Sequence, residues 1–169
     1  MHQQTQRIYA VADAYEGNQA LILLDPDLRV VATAETYAGH RPVIDVAVHG
    51  DQVFVLTDSH HVEGSGLRLL DLDGRFLRTI AAGRFRNPWA VAVSHGRAFV
   101  IDGYDEDDEE ALTNTVLRVI EIHSGSILQT VPLELSGRDN SSIVDGDEIY
   151  ISDFPANKVT VLRFAGSEA

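Results

Sequence analysis

The sequence predicts an all-β protein built from four successive repeats. The first observation is a short β-branched and aromatic run that recurs and stops each time at an aspartate, which is typical of a strand ending at a turn. The second is its spacing, since the aspartates follow one another after 45, 44 and 51 residues. The third is that no window has a sustained helical period. The four runs are RIYAVAD, QVFVLTD, RAFVID and EIYISD, which end at Asp13, Asp58, Asp102 and Asp153.

Each repeat is predicted to contain four strands. One strand precedes the run that ends at aspartate, as in VIDVAV and WAVAVS, and further strands such as LRLLDL and FLRTI follow it after turn residues. The longer third interval is explained by an insertion at residues 104–114. Runs such as VFVL are continuously apolar, whereas LRLLDL carries charges, so the first strands are buried and the later ones approach solvent. Four-stranded repeats of this period are typical of the blades of a β-propeller.

Three stretches carry a resemblance to known repeats. RNPWAVAVSHGRAFVID, GLRLLDLDGRFLRTIAAG and DEIYISDFPANKVTVLRFAG resemble NHL-type propeller repeats and, equally, the blades of bacterial six-bladed propellers. The resemblance covers nearly the whole chain and implies one propeller domain over residues 1–169. It implies no particular chemistry, because such blades serve binding proteins and enzymes alike. The blades are expected at approximately 1–39, 40–83, 84–133 and 134–169.

The first and last repeats depart from the four-stranded pattern. The first lacks a candidate for the innermost strand and the last lacks one for the outermost, so fourteen strands are expected and not sixteen. Three arrangements remain open: part of a longer propeller of about six blades, a closed four-bladed ring, or two chains that form an eight-bladed ring. Because exposed strand edges invite pairing, an isolated open arc is not expected to remain a stable monomer.

Composition excludes several functions. The 169 residues include 13 basic and 26 acidic side chains, and the net charge of −13 argues against binding nucleic acid or anionic membrane surfaces. There is no cysteine, which excludes disulfides and thiolate chemistry. No apolar run is long enough for a membrane-spanning helix, and the first residues do not resemble a signal peptide. A soluble protein is expected, in the cytoplasm or as an exported mature domain.

Candidate site residues lie in the loops that follow the aspartate-ended strands and beside the inner strands. The run at residues 105–110 offers carboxylate oxygens of the kind that Ca²⁺ prefers, although six like charges are more typical of a solvated loop and the glycine of a dedicated calcium loop is missing. Adjacent histidines in extended backbone point in opposite directions, which makes a shared ion less favourable. The candidate ligand-binding residues are Trp89, His60, His61 and Tyr104, and the candidate metal ligands are Asp105, Asp107, Asp108 and Glu63.

Two functions compete on these observations. The first is a non-catalytic binding or assembly module that presents its loops to a protein or small ligand, with basic partners favoured by its charge and a homodimer possible. The alternative is a metal-dependent lyase or lactonase, which the resemblance to six-bladed propellers implies and which needs acids or histidines around the central channel. The recurring aspartates are expected to accept hydrogen bonds from backbone amides of their own loops. The residues available beside the inner strands are His40, Asp45, His49 and His95.

Overall fold

A computed structural model describes seven segments of the chain. Within them the protein consists of fourteen β-strands in four antiparallel sheets, which confirms the all-β prediction. Each sheet is a meander in which every strand pairs with the next one in sequence, and we number the sheets as blades one to four in chain order. The described segments are residues 7–12, 20–34, 43–57, 66–103, 115–135, 142–154 and 156–164.

The first blade has three described strands and the second has four. The first blade contains β1 (Ile8–Ala12), β2 (Ala20–Leu24) and β3 (Val30–Ala34). The second blade contains β4 (Val43–His49), β5 (Gln52–Thr57), β6 (Gly66–Asp71) and β7 (Phe76–Ile80).

The third blade has four described strands and the fourth has three. The third blade contains β8 (Pro88–Ser94), β9 (Arg97–Asp102), β10 (Val116–Glu121) and β11 (Ile127–Pro132). The fourth blade contains β12 (Ser142–Asp145), β13 (Glu148–Asp153) and β14 (Lys158–Arg163).

A shared turn fixes which strands of the first two blades correspond. Asp25 directly follows β2, and its Oδ1 accepts the amides of Asp27 and Arg29 at 3.0 and 2.9 Å. Asp71 ends β6 and accepts the amides two and four residues after it at 2.9 and 2.8 Å. The β2–β3 turn therefore repeats the β6–β7 turn, so β1 corresponds to β5. In the first blade, the innermost strand position is therefore the one without a described strand, as the repeats predict.

The hydrophobic core is divided into three clusters, one between each pair of neighbouring blades. Strands of the second and third blades have continuously apolar runs because both of their faces are covered. Extensive packing joins only neighbouring blades, and the first blade makes none with the fourth among the described strands. The clusters centre on Leu23 and Val53 between blades one and two, Phe54 and Val100 between blades two and three, and Phe99 and Ile149 between blades three and four.

In each of the first three blades, an aromatic side chain on β1, β5 or β9 reaches towards the blade that follows. The ring of Phe99 lies 4.7 Å from that of Phe164, which comes directly after β14 in the next blade. Tyr9 corresponds to Phe99 in the first blade, and its hydroxyl donates to the backbone carbonyl of Leu72 at 2.9 Å. Phe54 packs in the same cluster as Ile122. One residue position therefore fastens each pair of blades.

Truncating this aromatic position should loosen the contact between blades. We expect Phe99→Ala to lower the free energy of unfolding by about 3–5 kcal/mol, because it leaves a cavity beside Phe164. The matched control is Phe76→Ala, whose ring is mostly exposed on β7, and it should cost less than about 1 kcal/mol. Urea denaturation followed by circular dichroism measures both, and equal losses in the two variants would contradict this packing.

Candidate functional site

A buried polar residue ends the second strand of blades two, three and four. Two-residue turns precede these strands, with His49 paired to Gln52, Ser94 to Arg97 and Asp145 to Glu148. Counting six residues from each turn makes Thr57, Asp102 and Asp153 equivalent, and each is fully buried. The recurrence of aspartate at one position is therefore wrong in the second blade, where Thr57 occupies the equivalent position and Asp58 follows it in the sequence.

Asp102 holds the beginning of the inner strand of its blade. Its Oδ1 accepts the backbone amides of Arg86 and Asn87, both at 2.8 Å, and its Oδ2 accepts Nε of Arg118 at 2.5 Å. The two amides precede β8, so the prediction that this carboxylate bonds to its own loop is wrong. Because a buried charge is tolerated only when it is paired and hydrogen-bonded, these three donors explain its burial.

The equivalent residues in the other two blades have different partners. Asp153 Oδ1 accepts the amide of Ala156 at 3.4 Å, as the sequence predicts for its own loop, and Lys158 Nζ lies 3.7 Å from Oδ2. Thr57 donates its hydroxyl to the carbonyl of Gly66 at 3.3 Å, across to the first residue of β6. The position thus serves to join strand ends in each of these blades.

Asp45 links the inner strands of the second and third blades. Its Oδ1 accepts the amide of Val46 and its Oδ2 accepts the amide of Val91 on β8, each at 2.8 Å. Burial raises the pKa of Asp45 above its ordinary value, and the two amide hydrogen bonds offset part of that effect. Asp45 was a candidate for chemistry in the central channel, but both of its carboxylate oxygens accept hydrogen bonds from backbone amides.

The remaining described candidates lie apart from one another. Trp89 occupies a bulge of β8 and packs against the cluster between blades three and four. His49 and His95 are exposed at the turns before β5 and β9, at the opposite end of the strands from Asp102. The His95 ring lies near Ser94 Oγ (2.7 Å) and, edge-on, 6.2 Å from Phe164. Within the described segments, no group of three acids or histidines could hold a metal ion.

The loop candidates cannot be placed, because they lie outside the described residues. Their proposed roles in ligand or Ca²⁺ binding remain predictions, and so does the role of Trp89 as a ligand contact. The chain's described part contains no helix that could cross a membrane. The candidates outside the described residues are His40, His60, His61, Glu63, Tyr104, Asp105, Asp107 and Asp108.

Two apolar sheet faces at the terminal blades were not singled out from the sequence. The outward face of blade four, which we name the exit face, comprises Ile143, Tyr150, Ser152, Val159 and Val161. Ile143, Val159 and Val161 are 65%, 61% and 49% exposed. The neighbours Ile149 and Ile151 are buried towards blade three, so alternation along β13 directs Tyr150 and Ser152 outwards.

Charged groups border the exit face. Arg163 Nη2 lies 2.5 Å from Glu148 Oε1, and the Tyr150 hydroxyl donates to Glu148 Oε2 at 2.6 Å. The hydrogen bond from Tyr150, followed by that from Arg163, lowers the pKa of Glu148, while the same carboxylate raises the pKa of Tyr150. The carboxylate therefore stays ionised beside an exposed guanidinium.

The outward face of blade one, which we name the entry face, comprises Ile8, Ala10, Ile22 and Leu24. Ile8 pairs with Leu24 and Ala10 with Ile22 across β1 and β2. Leu21 and Leu23, which alternate with Ile22 and Leu24, are buried against blade two, so the four residues face away from it. Ile8 is 42% exposed and the other three are half-buried. The signal for both faces was present in the sequence, since ALILL and KVTVLR have apolar residues on the side that no blade covers.

Comparison with known proteins identifies the fold. No family model matches the sequence and no curated protein matches it, so the NHL-type resemblance remains a prediction. Solved structures align with 96–98% of the chain. They include an auxiliary nutrient binding protein from Bacteroides ovatus (TM-score 0.63, 15% identity, 40% of that chain). A glutaminyl cyclase from Myxococcus xanthus (0.58, 9%, 72%) and the Dos1 propeller (0.52, 10%, 47%) also align. At these identities the likeness shows a propeller-like fold alone.

Removing the charge of Asp102 should destabilise the third blade. We expect Asp102→Asn to lower the free energy of unfolding by about 3 kcal/mol, because the amide nitrogen cannot accept the hydrogen of Arg118. The control is Asp51→Asn, an exposed aspartate in the turn between β4 and β5, which should cost less than about 1 kcal/mol. Chemical denaturation at neutral pH compares the two variants. An Asp102→Asn variant as stable as the wild type would show that this ion pair contributes nothing to stability.

The raised pKa of Asp45 should make stability depend on pH. The folded protein holds this proton more tightly than the unfolded chain, so its contribution to stability falls as pH rises from about 3.8 through the raised pKa. Asp45→Asn does not titrate, so the stability of the wild type relative to this variant should decrease across that window. Thermal denaturation at several pH values measures the difference, with the exposed Asp51→Asn as control. A wild type that becomes more stable relative to Asp45→Asn as the pH rises would contradict the burial of this carboxylate.

Proposed function

We propose that the protein is a non-catalytic binding and assembly module that associates with protein through the exit and entry faces. The observation that carries this proposal is the exposure of Ile143, Val159 and Val161 on one flat sheet face. Contiguous exposed apolar patches mark interaction sites on soluble proteins, whereas single exposed apolar residues do not. Covering one such side chain is worth roughly 1.5–3 kcal/mol, so a partner that covers the set gains a substantial driving force.

The arrangement of the exit face resembles that of a protein interface. Tyr150 lies among the aliphatic side chains, and tyrosine is enriched in interface cores. The Glu148–Arg163 pair supplies a charged border that remains accessible to water. An apolar centre with a polar rim favours a protein partner over a small polar ligand.

The hydrogen bonds of the buried carboxylates of Asp45 and Asp102 favour structural roles for these side chains. Asp45 uses both oxygens on backbone amides, and Asp102 uses its oxygens on two amides and Arg118. A general acid or base must reach a substrate proton, and these groups already have internal partners. This supports a binding function over a hydrolytic or lyase function for the described part of the chain.

A variant of the exit face tests this function. Val159→Asp combined with Val161→Asp should abolish association with protein, because it places charges on the exit face. In solutions dilute enough to leave that face uncovered, the variant should also bind less 1-anilino-8-naphthalenesulfonate than the wild type, because the dye binds exposed apolar surface. The matched control is Leu77→Asp with Leu128→Asp, two comparably exposed leucines of the outermost strands β7 and β11. Sedimentation velocity and dye titration are the measurements. A wild type that is monomeric and binds no more dye than the exit-face variant contradicts the proposal.

A further inference from the structure

We infer that the partner of these faces is a second copy of this chain, with the exit face of each copy packed on the entry face of the other. Two identical interfaces would then close eight blades into one ring. This inference rests on the proposed function and specifies its partner. It follows from the way that the chain already packs blade upon blade.

The exit face repeats a pattern that is buried in every earlier blade. An aromatic residue of the second strand pairs across to an aliphatic residue of the third strand, and this pair packs into the following blade. In the fourth blade the equivalent pair is Tyr150 and Val161, which is left at the surface. The buried pairs are Tyr9 with Leu23, Phe54 with Leu69, and Phe99 with Val119.

The entry face repeats the complementary pattern. Val53 and Leu70 are paired across β5 and β6 and are buried against blade one. The equivalent pair Ile149 and Leu162 packs against blade three. In the first blade this position is held by Ile8 and Leu24, which face outwards. The chain therefore presents both halves of its own blade-to-blade interface, one at each end.

A hydrogen bond between blades one and two predicts an equivalent hydrogen bond at the interface between the two copies. Tyr9 donates to the carbonyl of Leu72, the residue that follows β6 and its terminal Asp71. Asp25 forms the same turn in the first blade, so Pro26 is equivalent to Leu72. The hydroxyl of Tyr150 would leave Glu148 and donate to the carbonyl of Pro26 in the second copy. A tyrosine at this position in both blades suits that bond.

The number of blades restricts the number of copies. Propellers typically have four to eight blades. The first and fourth blades of one chain do not pack extensively on each other among the described strands, so four blades do not close through these faces. Two copies supply eight blades, whereas three would supply twelve. A head-to-tail interface that closes after one repetition gives a two-fold symmetric dimer.

Charge acts on this dimer in two ways. The net charge of −13 on each chain opposes association at long range, so added salt should strengthen it. Within one chain, Asp73 forms an ion pair with Arg7 where blade one meets blade two. The equivalent residues at the new interface are Asp27 and Glu148, and the exposed Arg163 that pairs with Glu148 lies where Asp27 would approach.

Complementation between two single variants tests the arrangement. Val161→Arg alters only the exit face and Ile8→Arg only the entry face, and both positions are already partly exposed, so the fold should persist. In light scattering across a concentration series, the wild type should have twice the 18.5 kDa chain mass. Each variant alone should dimerise at least about tenfold more weakly, since both of its interfaces are altered.

An equimolar mixture of the two variants should recover dimers. A mixed pair can place both arginines at one interface and leave the other interface unaltered. Leu77→Arg on β7 is the control and should dimerise like the wild type.

Four results would overturn the inference, and only the last also overturns the proposed function. A mixture that does not recover excludes the head-to-tail arrangement, and masses that keep growing above the dimer exclude the closed ring. A monomeric wild type that binds the dye excludes the second copy and leaves the terminal faces for another protein. A monomeric wild type that binds no dye excludes both proposals.

Discussion

Packing of one blade's apolar face on the next is the interaction on which the whole structure depends. A small sheet depends on the burial of its apolar faces, and each blade here obtains its core from a neighbour. Phe99 against Phe164 and Tyr9 against Leu72 are the same contact at different joints of the chain. Because every joint uses the same positions, the two terminal blades each expose a surface that is built for burial. Folding and association therefore draw on one set of contacts.

Buried carboxylates complete the joints that apolar packing begins. Asp102 fastens the start of β8 to the end of β9, and Asp45 connects β4 to β8 in the neighbouring blade. Backbone amides at the ends of inner strands have few other acceptors, so a carboxylate satisfies them at the cost of its own desolvation. These side chains resemble catalytic acids in being buried and polar, but their hydrogen bonds direct them to the backbone. The burial of these two carboxylates and their structural role both follow from their hydrogen bonds to backbone amides.

The proposed association through the terminal faces would have a thermodynamic consequence. A partner that binds only the folded chain stabilises it by mass action, so stability would rise with protein concentration. The net charge of −13 would oppose non-specific association while the apolar faces are open. The Glu148–Arg163 pair at the border of the exit face makes the approach of a partner depend on charge as well as on shape. Affinity would come from Val159, Val161 and Tyr150, which lie on the face itself.

The sequence by itself determined the all-β fold, the four repeats and the fourteen strands of the described segments, because strand alternation and turn residues are local properties. It did not reveal that Thr57 and Asp102 are equivalent, since hairpin register depends on pairing between strands. Nor could it show that Asp102 accepts hydrogen bonds from amides fifteen and sixteen residues earlier, or that Asp45 accepts one from Val91. Val159 and Leu117 are alike in a strand pattern, yet one is exposed and the other buried. Only the tertiary structure decides this, because a periodic sequence states which side of a strand is apolar but not whether a neighbouring sheet covers it.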